Sequence, residues 1–346
     1  MTLPASPVPA VRARDRSPGA SLPPWLALGL AVLAGLASAG QAAANAEIGD
    51  RVGSPSMGAV VNNLSACVLL LVALAATPSM RTGLAALRRA RLPWWAYLGG
   101  LGGATFVVVG TYAVPTLGVA VFTIAQVAGN STGGLAIDRA GLAPAGRLGL
   151  TPPRVGAALI GLAAVTLAQV GRPIGDLAVG LVLLAAAGGV AVALQSALNA
   201  RLSAAVGMPA GTAVNFAVST VAVVAVAAAL GAFADLGSVR WPSEWYLYLG
   251  GPFAVGIVAV LLFGVRSVGV LRMGLAVVAG QLGGALLLDA VRSDGPGPSL
   301  AVLAGALLTL LAVIISGLGA RVGGQVDPPG GQSAPGGAAD GAARVP

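Results

Sequence analysis

The 346-residue chain contains no lysine and no histidine. Without imidazole there is no histidine proton relay and no histidine metal site. Without lysine there is no phosphate-binding lysine of the Walker type, so ATP-driven work by this chain alone is excluded. The single cysteine, Cys67, lies inside an apolar run, which excludes a disulfide framework and a thiolate metal cluster. No metal and no cofactor is expected. Charged residues make up 9% of the chain and aromatics 4%. A soluble domain carries about 25% charge, so this chain cannot cover a globular surface with polar groups, and a soluble enzyme is excluded.

What the chain has instead is 57% hydrophobic residues, 52 glycines and a mean hydropathy of +0.90. The exclusive use of arginine, with the alanine, glycine and valine excess, reads as a coding bias of the source genome. Ten apolar segments follow one another at about 25–46, 58–77, 94–114, 116–137, 154–171, 176–199, 211–233, 245–265, 268–290 and 299–319. A helix of about 20 apolar residues spans a bilayer, and in lipid the backbone must satisfy itself internally. The expected fold is an all-α integral membrane protein of about ten transmembrane helices, with the lipid bilayer as its first partner. Residues 1–23, rich in Pro, Ser and Arg, and residues 320–346, rich in Gly, Pro and Ala, read as disordered tails. The basic start, apolar 25–36 and "ASA" at 37–39 also resemble a signal peptide. A later partner for this segment argues against that reading.

That partner is part of an internal repeat. At an offset of 154, Gln41, Asn45, Gly53, Pro55 and Ser65 meet Gln195, Asn199, Gly207, Pro209 and Ser219. At 151, Trp94, Tyr97, Gly118, Gly129, Gly133 and Asp138 meet Trp245, Tyr248, Gly269, Gly280, Gly284 and Asp289, and Asn130 faces Gln281. Chance alignment of apolar sequence would match Ala and Leu rather than Gln, Asn, Trp and Asp. The units are expected at 24–172 and 173–319. Five helices per unit is an odd number, so the second unit enters the membrane from the opposite side. With the N-terminus inside, Arg51, Arg172, Arg240 and Arg292 fall outside and the remaining arginines inside. That bias places both termini in the cytoplasm. It also turns the net charge of +8 into an orientation signal rather than a nucleic-acid one.

Inverted repeats are the pattern of secondary transporters with a central path. The path candidates are Gln41, Asn45, Gln195 and Asn199, then Gln126, Asn130 and Gln281, and Asn62 and Asn215. An amide buried in lipid without a partner costs several kcal/mol, so these groups are expected to face the bundle interior. The alternative is that they tie helices together for about 1 kcal/mol each, or that Asn45 and Asn199 cap helix ends. Glu47 is a possible coupling carboxylate, or a residue of a solvated loop with Asp50 and Arg51. Asp138 and Asp289 read as helix ends facing solvent or a neighbouring arginine. Gly99, Gly103, Gly129, Gly133, Gly280 and Gly284, in pairs four apart, read as close-packing positions.

The phrases "PWWAYLGGLGG", "PTLGVAVF" and "AGNSTGGLAIDRAGL", echoed by "QSALNARLSAAVGMP", "WYLYLGG" and "AGQLGGALLLD", resemble the YdcZ-type family of the drug/metabolite transporter superfamily. The resemblance covers about residues 25–319 in a fused ten-helix form. It implies a multi-pass protein of the bacterial cytoplasmic membrane that moves a small metabolite or drug-like solute by alternating access, with no nucleic-acid partner. Two positions depart from the family pattern: Asn130 stands where glutamine is usual, and Glu47 where a basic residue is usual. The alternatives are a non-transporting assembly subunit and a channel.

Overall fold

The computed structural model describes residues 23–142, 149–171, 175–234, 237, 239–291 and 298–322. Nearly all of both expected tails, and Arg147, Arg172, Asp235 and Arg292, lie outside the described residues. Among the described residues ten α-helices follow in order: α1 (Pro24–Arg51), α2 (Pro55–Ala76), α3 (Pro78–Leu87), α4 (Gly99–Leu117), α5 (Val119–Ala140), α6 (Pro152–Ala168), α7 (Asp176–Val206), α8 (Met208–Ala229), α9 (Gly250–Val291) and α10 (Leu300–Val322). Short 3₁₀ turns, Trp94–Leu98 and Trp245–Leu249, lead into α4 and α9. No strand occurs among the described residues.

Six helices are long and apolar enough to cross a membrane: Pro24–Arg51, Pro55–Ala76, Trp94–Leu117, Leu177–Val206, Met208–Ala229 and Arg272–Val291, counted among the described residues. Pro152–Ala168, Trp245–Val260 and Leu300–Ser316 are apolar but shorter. The outward faces are apolar: Val68 and Leu71 on α2, Leu183 on α7, Val221 on α8 and Leu307 on α10 all stand exposed. Such a continuous apolar exterior belongs in lipid. Trp25, Trp94 and Trp245 stand exposed at helix starts, where the amphipathic indole suits the membrane–water interface. α5 is different. It carries Gln126, Asn130 and Asp138, and all of Val119–Gly129 is buried, so protein rather than lipid surrounds its first half.

Several boundaries depart from expectation for identifiable reasons. α1 runs on to Arg51 and α7 to Val206, so the Gln/Asn phrases lie inside helices and do not end them. Asn45 and Asn199 therefore do not cap. The expected loop at 78–93 contains α3, started by Pro78 at its first position. α4 continues through Pro115 and stops at Gly118, whose φ of 80° suits a residue without Cβ.

α9 is 42 residues long in unbroken helical backbone, yet it cannot be straight. A methyl group on Gly250 would stand 2.6 Å from Asn45 Oδ1, and one on Gly35 would stand 2.1 Å from Val277 O. Gly250 to Val277 measures about 40 Å along a straight helix, whereas Asn45 to Gly35 measures about 15 Å. The order also reverses: Phe253 meets Gly40, while Gly280 meets Val32 and Gly284 meets Leu36. α9 therefore turns back on itself between Phe253 and Val277. Its two limbs correspond to the separate segments read at 245–265 and 268–290.

The main packing pairs are α1 on α9, α5 on α7 and α6 on α10. Each joins a helix from the first part of the chain to one from the second. The largest core cluster draws on α1, α4, α5, α6, α7, α9 and α10. The two sequence halves interlock through these contacts.

Candidate functional site

Two amide clusters occupy related places. In the first, Gln41 Nε2 donates to Asn62 Oδ1 at 3.0 Å, joining α1 to α2. Asn45, one turn beyond Gln41, is buried, and its Oδ1 has no hydrogen-bond partner. In the second, Gln195 Nε2 and Asn199 Nδ2 both donate to Asn215 Oδ1 at 3.0 Å, joining α7 to α8, and Asn199 Oδ1 is likewise unpartnered. Each unpartnered oxygen faces a glycine of the other part of the chain: Asn45 faces Gly250 and Asn199 faces Gly99. These glycines are the first residues of α9 and α4. A helix start carries partial positive charge, so both oxygens sit where a negative dipole end is favoured.

The clusters lie at different heights along α4. Asn199 is beside Gly99 at its start, and Gln195 is beside Gly103. Gln41 and Asn45 adjoin Gly110 and Thr111 in its second half. They also differ in burial. Gln41 and Asn45 are enclosed, at 7% and 4% exposure, whereas Gln195 and Asn199 are half-buried.

A small cavity of about 10 Å³ opens beside the first cluster, lined by Gln41, Ala42, Asn45, Phe106, Val107, Gly110, Thr111 and Phe122. The Phe106 and Phe122 rings lie 5.6 Å apart at 37°. Gly110 makes room for Phe122, since a methyl there would meet the ring at 3.3 Å. Thr111 Oγ1 donates to Val108 O at 2.7 Å. Phe106, Thr111 and Phe122 carry no sequence signal that sets them apart from other residues of apolar runs.

The other expected path residues separate. Gln126 is buried on α5 with Oε1 unpartnered. Asn130, one turn further along the same face of that helix, is exposed, and Gln281 is half-buried on α9. Neither lines the cavity. Glu47 does not line it either. It belongs to α1 rather than to a loop, and pairs with Arg51 at 2.7 Å, which also reaches Glu244 at 2.7 Å. Arg51 holds the Glu244 carboxyl below the usual carboxylate range, chiefly through that hydrogen bond.

A family model, DMT_YdcZ, described as a putative inner membrane exporter, YdcZ, matches residues 26–167 and again 180–315. The chain belongs to the YdcZ family of the drug/metabolite transporters. No curated protein and no solved structure matches it.

The two YdcZ units repeat their contacts as well as their sequence. Gly35 meets Val277 O and Gln281 N, and Gly189 meets Gln126 O and Asn130 N. Gly129 meets Ala186 O, and Gly280 meets Val32 O. Gly133 and Gly284 pack against Val190 and Leu36. The second helix of each YdcZ unit corrects the alignment. Gly251 meets Asn62 O and Ala66 N where Gly100 meets Asn215 O and Ser219 N, so Ala66, not Ser65, corresponds to Ser219.

The YdcZ units differ at their aspartates. Asp138 is ion-paired with Arg154. Asp289 is 5% exposed, and its two oxygens accept from Val119 N and Ala120 N at 2.8 Å each. Asp289 thus caps the start of α5 from another helix and does not face solvent. The positive-φ glycine at 118, a buried helix start and an aspartate 170 residues away are separate in the sequence, which is why the cap was not legible there.

Proposed function

We propose that this chain exports a small solute across the bacterial inner membrane by alternating access. In this reading ten membrane crossings form two inverted five-helix repeats, with both termini cytoplasmic. The observation that carries it is the cavity at Gln41 and Asn45, where buried amides with spare hydrogen-bonding capacity meet an aromatic pair. Intramembrane polar groups of this kind are expensive and mark solute paths. The unequal burial of the two clusters supports a state closed at the Gln41 end and more open at the Gln195 end. Because the halves interlock, the motion consistent with the packing shifts the α1–α9 pair against the α5–α7 pair. Glu47 is a weaker candidate for coupling, since its ion pair with Arg51 would have to break first.

A second reading is favoured by the bonds within each cluster. Gln41 to Asn62, and Gln195 and Asn199 to Asn215, are the kind of contacts that hold helices together in a protein that transports nothing. The two readings part on flux. Small molecules inside and outside cells expressing wild type or the Asn45→Ala/Asn199→Ala variant, at equal membrane levels, are compared by mass spectrometry. A compound moved by wild type and not by the variant is the expected result. Equal movement by both takes the amides out of the path, and no movement by either leaves the purely structural reading.

A further inference from the structure

We propose that the arginines on α3 and in the turn after it form a binding surface for anionic phospholipid headgroups.

The inner side of α3 is apolar and taken. Met80 packs with Ala66, Leu70 and Phe216, and Leu84 and Leu87 pack with Leu202, Val206 and Ala210. Gly83 lets the helix close on the joint between α7 and α8, since a methyl there would stand 2.7 Å from both Val206 O and Ala210 Cβ. Protein therefore covers this side. The outer side is free. Arg81 and Arg88 are two helical turns apart and share it, about 10 Å from each other along the axis. Arg89 and Arg91 follow at once, and all four arginines are exposed.

Their charge is not neutralised within the protein. No Asp or Glu occurs between Asp50 and Asp138. Asp138 is taken by Arg154, and among the described residues none of the four arginines forms an ion pair. Four like charges so close together repel one another, and an anionic partner relieves that repulsion. The repeated fold does not require them. The corresponding stretch of the second YdcZ unit, 234–244, carries Asp235 and Glu244 against one arginine, Arg240. Orientation in the membrane calls for positive charge in this connection, but not for a docked helix that holds its arginines on the free side.

Position selects the partner among anions. α2 leads into α3 with Val68, Leu71 and Val72 exposed on its outer face, a surface for acyl chains. Three residues after Arg91, Trp94 stands 75% exposed, and an indole at a helix start lies at the level of the headgroups. The arginines are thus held between two lipid-facing markers. A guanidinium grips phosphate oxygens through paired N–H donors, and a basic segment beside a membrane helix draws anionic lipid. A zwitterionic headgroup offers the same phosphate with its charge cancelled by an ammonium, so the surface distinguishes the two.

The test uses the full-length protein purified in detergent. It is titrated separately with phosphatidylglycerol and with phosphatidylcholine of identical acyl chains, and native mass spectrometry gives the Kd of the first lipid bound. Wild type is expected to bind phosphatidylglycerol about fivefold or more tightly, with the preference shrinking at high ionic strength. Arg81→Gln/Arg88→Gln/Arg89→Gln/Arg91→Gln should reduce it to less than about 1.5-fold. Ala85→Glu keeps every arginine and sets a carboxylate between Arg81 and Arg88, four residues after one and three before the other, where it pairs with both. It should cut the preference about threefold, and it decides alone if the four-arginine variant does not purify. Equal affinity of wild type for the two lipids overturns the proposal. So does a preference that both variants retain, which moves the anion site to arginines elsewhere in the chain. Displacement of phosphatidylglycerol by millimolar inorganic phosphate makes this a site for a soluble anion and overturns the lipid assignment.

Discussion

Cys67 Sγ lies 3.2 Å from Thr220 Oγ1, and the two residues stand at the same distance from the first residues of α2 and α8. Each repeat therefore touches its own counterpart there. Replacing Thr220 by cysteine places two thiols at this point. Mild oxidation is expected to join α2 to α8. Cleavage at a protease site engineered into the 141–151 connection, which lies between the two cysteines in the chain, then leaves the two fragments linked on a non-reducing gel and separate after reduction. Fragments that separate without reduction would contradict the apposition.

Asp289→Ala strips the start of α5 of its two acceptors. The Val119 and Ala120 N–H groups are buried, so the loss is expected to be about 2–3 kcal/mol, read as a lower midpoint of thermal unfolding in detergent. Asp289→Asn keeps one acceptor and should fall between the alanine variant and wild type. Gly118→Ala should destabilise as well, because its φ is 80° and a methyl there would stand 2.9 Å from Asp289 Oδ2.

Backbone contact at the glycines makes a sharp contrast possible. Alanine at Gly35, Gly129, Gly189 or Gly280 would bring a methyl within about 2 Å of a facing carbonyl oxygen, too close for any rotamer to relieve. Each variant is expected to lose most of its monodisperse yield on size exclusion. Gly134→Ala and Gly283→Ala lie in the same helices, where nothing stands within 4 Å, and should purify like wild type.

The contact of Arg51 with Glu244 is expected to respond to acid and salt. The Glu244 carboxyl is held below its ordinary 4.5 in the folded protein. A depressed carboxyl contributes stability that is present above 4.5 and is lost as pH falls through the lowered folded value. Wild type and Glu244→Gln should thus differ in thermal midpoint near neutrality and converge below pH 4.5. The difference should also shrink at high ionic strength, since both side chains are about a third exposed.

Much of this architecture was legible because lipid simplifies the problem. Apolar runs had to be helices, and the paired glycines fixed where helices meet. The amides Gln41, Asn45, Gln195 and Asn199 were legible as a repeated pair. Their partners were only half so, because Asn62 and Asn215 sit on neighbouring helices at an offset of 153, one residue from the offset that fits the first helices. Asn130 and Gln281 show the limit of periodicity alone. Asn130 shares a helix face with buried Gln126, four residues earlier, yet stands exposed. The cap from Asp289, the ring pair at Phe106 and Phe122 and the reversal of α9 all depend on three-dimensional proximity between residues that no local pattern links.

The interlocking of the two halves also has a consequence for biosynthesis. The face of α1 that carries Gly35 is completed by the Val277–Gln281 stretch of α9. At about 5–20 residues per second the ribosome needs some tens of seconds to make the intervening chain. During that interval α1 has reached the bilayer with its closest-packing surface uncovered, and α5 waits in the same way for α7. A chain stopped after its first repeat is therefore left with two unfilled grooves rather than a finished half, which makes truncated products natural clients of membrane quality control.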